Sequence, residues 1–500
     1  MQDNQTAEDT PAITECQVCF NAEDAYPAFE KLCLSARTEV IASFRVFDLT
    51  TKLRSDAARR IGQTWFDLVL HMLNQGVRFD ITVTDFDPIV ATDDHRRSWT
   101  SARQMAAANE LSKGAALSFR IAMHPARVGF VPRQILRKKT TDTLRDSDAD
   151  ALTPGLDDLS PGDDLPLVPA THHQKLAVID GQTLYIGGLD LNDRRYDTND
   201  HERASKQTWA DIQAIVRGPV VAAAEHHLRS FLDVTDARMD APLQAPGFLR
   251  TLSGKRPRNL LHIGPKPLVS EVEDAHLAEI ERARGLIYLE TQFFRHAPLA
   301  KALAAAAKRC DDIAVLLVLP AAPEDVAFNG NSSEDAQFGA EKQTKALRIL
   351  ADGLGERLAI AAPAKPEHAG EKTPDAATIN GAPLIYVHSK LSLFGNDAAI
   401  VSSANLNGRS MHWDTEAGIH LTDPAMVKPL WPRVFDHWLG AHVPADPFGN
   451  PPAFIASINA LLCKNAALAP PDRQHLLLPY DTDRHAELAS DLPGVPAAMV

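Results

Sequence analysis

Five cysteines in 500 residues, Cys16, Cys19, Cys33, Cys310 and Cys463, are too few and odd in number for a disulfide framework. Cys16 and Cys19 form one C-x-x-C, but no second ligand pair follows at zinc spacing, so they read as two small, partly buried thiols. No apolar run reaches the length of a membrane span; "LLVLP" and its neighbours are strand-sized. The opening "MQDNQTAEDTPAITE" lacks both a basic and an apolar region, so no classical signal peptide is expected. The expected location is then the cytoplasm or a membrane periphery, or the outside by a non-classical route. Positive charge is scarce as well. There are 51 Lys and Arg against 65 Asp and Glu, a net charge of −14. That disfavours a bulk electrostatic hold on nucleic acid, and no nucleic-acid partner is expected, although a local basic pocket is not excluded. Neither G-x-S-x-G nor H-E-x-x-H occurs, which leaves serine-hydrolase and zincin nucleophiles without support.

What is present is an ordinary globular composition, 45% hydrophobic and 23% charged, on a chain long enough for two or three domains. Residues 1–14 read as disordered. "EVIASFRVF" (39–47) reads as a strand. "RRIGQTWFDLVLHMLNQG" predicts a helix with Ile61, Trp65, Leu68 and Met72 on one face and Gly76 as its stop. "RFDITVTDFDP" predicts the next strand, broken at Pro88. Such alternation predicts an α/β layered unit. Residues 137–166 hold eight aspartates with prolines and glycines and read as an acidic loop insertion, either solvated or a lid. Residues 236–259 read as a linker. A second strand–helix alternation follows with "GLIYLETQFF" and "IAVLLVLP", and residues 446–500, around a helix "AFIASINALL", read as an appendage.

The chemistry concentrates in "HHQKLAVID" (172–180). Residues two apart on a strand share a face, so His173 and Lys175 point together while His172 points away. One copy proves little, but "VHSKLSLFGNDAAIVSSANLNGRS" repeats "HHQKLAVIDGQTLYIGGLDLNDRR" at a constant offset of 215 residues. His173 meets His388, Lys175 meets Lys390, Asp190 meets Asn405, Asn192 meets Asn407, and Arg194 meets Arg409. The glycine pair Gly187–Gly188 meets Ser402–Ser403. The earlier strands repeat at an offset near 247, and the difference matches the acidic loop in the first copy alone. The expected architecture is therefore two tandem α/β sandwich halves (15–235, motif 167–194; 260–445, motif 382–409) related by a pseudo-two-fold axis, with one shared site. Two histidines and two lysines converging on one cleft suit a phosphodiester. Ammonium and amide donors hold its oxygens, one histidine attacks phosphorus, and the other protonates the leaving oxygen. That route needs no metal and no cofactor.

These residues resemble the phospholipase D superfamily, whose signature is H-x-K-x4-D twice. The first copy is complete as His173, Lys175 and Asp180; the second has His388 and Lys390 but Gly395 at the aspartate position, beside Asn396 and Asp397. The flanks "IGGLDL", "WADIQAIVRGP", "SSANLNGRSM" and "DTEAG" agree, and "LIYLETQFF", "LVLPAAPED" and "LIYVHSKL" look like the phosphatidylcholine-cleaving branch. The resemblance covers roughly residues 20–445. It implies His173 as nucleophile and His388 as general acid, with Lys175, Lys390, Asn405 and Asp190 around the phosphate. It further implies Asp211 and Glu416 as the carboxylates that orient the histidines, and Glu290 and Gln292 at a strand end near the site. The activity implied is hydrolysis of phospholipids to phosphatidate and a headgroup alcohol through a phosphohistidine, with transfer to other alcohols open. A cardiolipin-synthase-like transferase and a silent lipid-binding scaffold, the latter suggested by Gly395, are the alternatives. The partners expected are a phospholipid substrate and a membrane surface, for a monomeric protein.

Overall fold

The computed structural model describes residues 11–146, 167–330, 333–491 and 495–500. The first half builds a seven-stranded sheet from β1 (Glu15–Phe20), β2 (Glu39–Phe44), β3 (Arg78–Asp85), β4 (Leu117–Met123), β5 (Leu176–Ile179), β6 (Thr183–Gly187) and β7 (Ile212–Arg217). Their spatial order is β1-β7-β6-β5-β2-β3-β4. A nine-stranded sheet follows from β8 (Phe248–Gly254), β9 (Lys266–Ser270), β10 (Leu286–Glu290), β11 (Ala314–Val318), β12 (Leu358–Pro363), β13 (Leu391–Phe394), β14 (Ala398–Ser402), β15 (Glu416–Leu421) and β16 (Leu477–Pro479). Its order is β16-β12-β11-β10-β13-β14-β15-β8-β9. The series β7-β6-β5-β2-β3-β4 and β15-β14-β13-β10-β11-β12 are the same arrangement. In each, a parallel trio joins an antiparallel trio at the motif strand, β5 or β13.

Alternation along these strands dictates the layering. Leu176 and Val178 of β5 and Leu391 and Leu393 of β13 enter one core shared by both sheets. Ala177 and Ile179 turn to the opposite face, where the helices of the first half pack, and Phe394 does the same in the second half. The sheets therefore lie face to face with helices outside both, as expected for tandem α/β halves.

Several element boundaries differ from expectation. The helix expected from residue 59 begins at Trp65, because the Asp67 carboxylate accepts the backbone N–H of Gln63 and Thr64 and caps the chain there. The acidic insertion starts later than residue 137, since a helix runs Phe130–Asp146; the remainder of that segment, with its proposed lid, lies outside the described residues. The stretch 236–259 contains β8, all seven of whose residues are buried between β15 and β9, so only its first part can link the halves. Residues past 445 are no appendage. The helix Pro451–Ala466 puts Phe454, Ile455 and Ile458 into the shared core, and β16 pairs with β12. At the other end Ile13 is buried in the shared core, so order begins before residue 15.

Candidate active site

The backbone of each motif crosses to the opposite half before its side chains do anything. His173 N donates to Thr415 O (2.9 Å) and Thr415 N to Thr171 O (2.9 Å), which delivers the next residue, Glu416, beside His173. In the other direction His388 N donates to Ala210 O (2.8 Å) and Ala210 N to Tyr386 O (2.9 Å), which delivers Asp211 beside His388. Glu416 Oε1 and Oε2 lie 3.0 and 3.1 Å from His173 Nδ1, and Asp211 Oδ2 lies 2.6 Å from His388 Nδ1. Each imidazole is held by a carboxylate from the other half. With the carboxylate accepting, the ring proton sits on Nδ1 and Nε2 keeps its lone pair.

The lysines repeat one another. Lys175 Nζ donates to His173 O (2.6 Å) and Lys390 Nζ to His388 O, so each reaches back over its own histidine. Both are buried, and the charges of both act on both imidazoles. The two motifs thus form one electrostatic cluster. Burial first, then Lys175, Arg45, Lys390 and Arg409, holds His173 well below its ordinary pKa. Burial with Lys390, Arg195, Lys175 and His173 does the same to His388. Burial lowers Lys390 to about 7 against the opposing pull of Asp211, and raises Glu416 to about 8. Without a ligand, the cluster favours neutral forms. An anion entering between the lysines reverses that preference, because it replaces the lost hydration with opposite charge.

The substitution of glycines by serines between the halves has a steric reason. A Cβ on Gly188 would stand 2.0 Å from Asp211 Oδ1. At the matching position Ser403 Oγ donates to Glu416 Oε2. One half makes room for its carboxylate, and the other hydrogen-bonds it.

Asn405 and Gln292 join the cluster through a chain of contacts. Asn405 Nδ2 donates to Gln292 Oε1 (3.2 Å), Gln292 Nε2 donates to Tyr386 OH (2.8 Å), and the Tyr386 ring meets Trp209, whose ring packs edge-on to His388 with centroids 4.5 Å apart. Three expected site residues have other tasks. Asp190 Oδ1 accepts Val46 N (2.9 Å) and Oδ2 lies 3.9 Å from Lys175 Nζ. A carboxylate only accepts, so Asp190 serves as a counter-ion to Lys175 rather than a phosphate donor. Glu290 is buried behind the motif, where it accepts from Ser389 Oγ, Tyr288 OH and Trp438 Nε1. Asp180 is outside the site altogether. At a left-handed turn (φ 51°), its carboxylate accepts N–H groups of Arg37, Thr38 and Glu39 at 2.7–2.9 Å. Gly395 makes the same turn (φ 55°), and its N–H bonds Leu286 O as that of Asp180 bonds Glu39 O.

His172 packs away from the cluster against His124 and Phe231, as alternation requires. The sequence reading missed Arg45, which acts electrostatically on His173 and Lys175, and Arg195, whose guanidinium lies 3.3 Å over the Trp209 ring. Arg195 stood next to the repeat-matched Arg194 in "DRRYD", but Arg194 itself pairs outward with Glu324. Nothing in the spacing separates the two; their burial does.

A family model described as "Cardiolipin synthase, PLD-like domain" matches residues 277–438. A cardiolipin synthase of Listeria welshimeri is 24% identical over 265 residues, covering 52% of this chain and 46% of that protein. Phospholipase D alpha 1 of Oryza sativa subsp. japonica is 21% identical over 358 residues, covering 48% of this chain and 44% of that protein. The chain spans about half the length of the curated relatives it matches. Among solved structures, phosphatidylserine synthase of Haemophilus influenzae Rd KW20 shares the fold, with a TM-score of 0.51 over 86% of this chain and 88% of that one at 11% identity. Family model, relatives and the doubled H-x-K motif agree: residues 277–438 match a PLD-like domain, and the chain is similar to cardiolipin synthases and phospholipases D of the phospholipase D superfamily.

Proposed function

We propose that this chain is a phosphodiesterase acting on phospholipids, of the phosphatidylcholine class, by way of a phosphohistidine on His173. The observation that carries the reading is the crosswise pairing of two histidines with two carboxylates around two buried lysines. His173 is the more exposed of the two imidazoles, which suits the group that must reach phosphorus. Its Nε2 lone pair forms the bond to phosphorus while the bond to the headgroup oxygen breaks. His388, protonated once the anionic substrate offsets the local positive charge, gives its Nε2 proton to the leaving oxygen. Lys175, Lys390 and Asn405 stabilise the charge on the phosphoryl oxygens. In the second step His388 takes a proton from water as that water attacks phosphorus, the P–N bond breaks, and His173 returns to its starting form. Glu416 supports the positive imidazole between the steps.

A second reading, transfer of the phosphatidyl group to an alcohol acceptor, is favoured by the match of residues 277–438 to a cardiolipin synthase domain. The chemistry is the same with the alcohol replacing water. One experiment tests both. The protein is incubated with mixed-phospholipid vesicles and a primary alcohol, and products are identified by mass spectrometry. Phosphatidate supports hydrolysis and a phosphatidyl-alcohol supports transfer. His173→Ala should abolish the labelled intermediate, and His388→Ala should slow both its formation and its breakdown. No turnover on any phospholipid, with lipid binding unchanged in His173→Ala, would replace this reading by that of a binding scaffold.

A further inference from the structure

We infer that Glu273, His296 and His412 form a site for one divalent transition-metal ion of the zinc class, and that the bound ion clamps the segment following the second motif onto the helices beside it. His296 Nε2 lies 2.6 Å from Glu273 Oε1, and His412 Nε2 lies 2.7 Å from Glu273 Oε2. One ligand atom from each residue lies within 4.8 Å of the other two, and no other group of this kind occurs among the described residues. The two rings are nearly perpendicular (74°) with centroids 5.5 Å apart, so their nitrogens converge without the rings colliding.

Two imidazoles and one carboxylate are a donor set that zinc takes with a fourth position left to water; calcium and magnesium prefer oxygen donors. Bonds of about 2.0–2.1 Å in tetrahedral geometry place ligand atoms about 3.3 Å apart. Imidazole and carboxylate therefore need to part by only about 0.6 Å to admit the ion. His412, with a third of its side chain exposed (32%), opens the site to solvent, while Glu273 and His296 are mostly covered.

The place of the site in the fold says what a bound ion does. Glu273 is in the first turn of the helix Glu271–Arg282, His296 precedes the helix Ala297–Arg309, and His412 ends the short helix Gly408–His412. Arg295 N and His296 N both donate to Leu406 O, at 2.8 and 3.0 Å. The first half has the same backbone tie, Asp48 N to Leu191 O at 2.9 Å, and reinforces it without an ion. At the 247-residue offset Glu273 stands where Tyr26 stands, and Tyr26 OH donates to Asp190 O (2.6 Å), directly holding the segment after the first motif. The positions matching His296 and His412 are Leu49 and Asp197, so the first half cannot assemble this donor set. The duplicated unit thus shares one backbone tie but reinforces its two loops by different side chains, and only the second set is open to metal control.

The test uses the full chain, stripped with a chelator and reloaded with Zn2+ or Co2+ alone. One zinc per chain should survive gel filtration. Co2+ should give the visible bands of a four-coordinate ion, bleached by Zn2+. His412→Gln and Glu273→Gln should bind zinc at least about 100-fold more weakly, the upper end of what loss of a mere orienting partner costs. Zn2+ should raise the melting temperature of the wild-type chain and leave that of His412→Gln unmoved. His173→Ala should keep the cobalt bands, which separates this site from the histidines of the motifs. If Glu273→Gln does not fold, His412→Gln, at the solvent edge, decides the matter. Failure of the stripped wild-type chain to take up zinc at micromolar concentration, or wild-type affinity in His412→Gln, overturns the inference. No lipid turnover enters these readings, so a chain that binds zinc here yet leaves phospholipids intact would refute the proposed function alone.

Discussion

Glu416 holds His173 at 3.0 Å although 243 residues separate them in the chain. Its counterpart in the first half, Asp211, holds the second histidine, His388, at 2.6 Å. Neither motif histidine takes its carboxylate from its own half. Glu416→Gln is therefore expected to slow phosphohistidine formation at His173, and Asp211→Asn to slow both formation and breakdown through His388, each by about 10²–10⁴-fold. Single-turnover kinetics with a labelled phospholipid distinguishes the two. Equal effects of both substitutions on both steps would mean the carboxylates act only by holding the halves together.

Gly188→Ala should be more damaging than any other methyl added near the cluster. The new Cβ would lie 2.0 Å from Asp211 Oδ1, and that carboxylate is fixed by its own bond to Ile212 N (2.8 Å) and by His388. The expected cost is about 1–3 kcal/mol of stability, with a loss of activity resembling that of Asp211→Asn. Ser403→Gly, at the matching position, should lose its bond to Glu416 and be milder. Thermal unfolding and turnover measured together check the order.

Gly395→Asp should change the rate only modestly and leave the substrate range alone, at a small cost in stability from a side chain at positive φ. The position already takes the left-handed turn that Asp180 takes, and an added Cβ would meet only Arg284 O, at 3.3 Å. Asp180→Ala, by contrast, strips three backbone N–H groups of their acceptor and should cost about 1–2 kcal/mol. A large gain of activity in Gly395→Asp would show that the aspartate position of the motif does take part in the chemistry.

Stability should decline in mild acid. Burial first of all lowers His124 to about 4, His227 to about 3 and His276 to about 4. Between the unfolded value of about 6.5 and those values the unfolded chain binds protons that the native chain does not, so stability falls as pH falls. Glu416 has the opposite sign, because its raised pKa makes the native state the more protonated one between about 4.3 and 8. Asp211, raised to about 6, and buried Glu290 act in the same sense as Glu416. His475 and His485, also lowered to about 4, and Glu273, held down to about 2, add to the loss in acid, so the decline should be clear below about pH 6. Urea unfolding at pH 7.5 and pH 5 measures it; equal midpoints would contradict the assignment of these histidines as buried and neutral.

The helix Phe130–Asp146 is expected to face an anionic lipid surface. Val131 and Ile135 lie one turn apart and exposed, Ile135 by 77%, and Val131 N donates to the carbonyl of exposed Leu260 (2.8 Å). Arg133, Arg137, Lys138 and Lys139 are on the same helix, with Lys139 also bonded to Glu334. At about 1 kcal/mol per basic residue near a membrane, replacing all four by Gln should weaken binding to anionic vesicles by about 100-fold or more. Unchanged binding at low salt would remove this surface from consideration.

The doubled α/β unit, the two H-x-K pairs and the choice of His173 over His172 were legible in the sequence, because a repeat offset and the alternation of a strand are local properties of the chain. Asp211 and Glu416 were legible as residues, from the segments they occupy. Their partners were not: pairing across the halves depends on Thr415 meeting His173 and Ala210 meeting His388, and only the packing of one sheet on the other creates those bonds. The same packing hid β8 inside a presumed linker and drew the helix Pro451–Ala466 into the core, since burial of an edge or an apolar face overrides a proline-rich composition. Asp180 carried the signature of a site residue, yet its backbone turn aims its carboxylate at Arg37, Thr38 and Glu39. Spacing determined which residues could meet; tertiary structure decided which way each side chain was turned and what stood opposite.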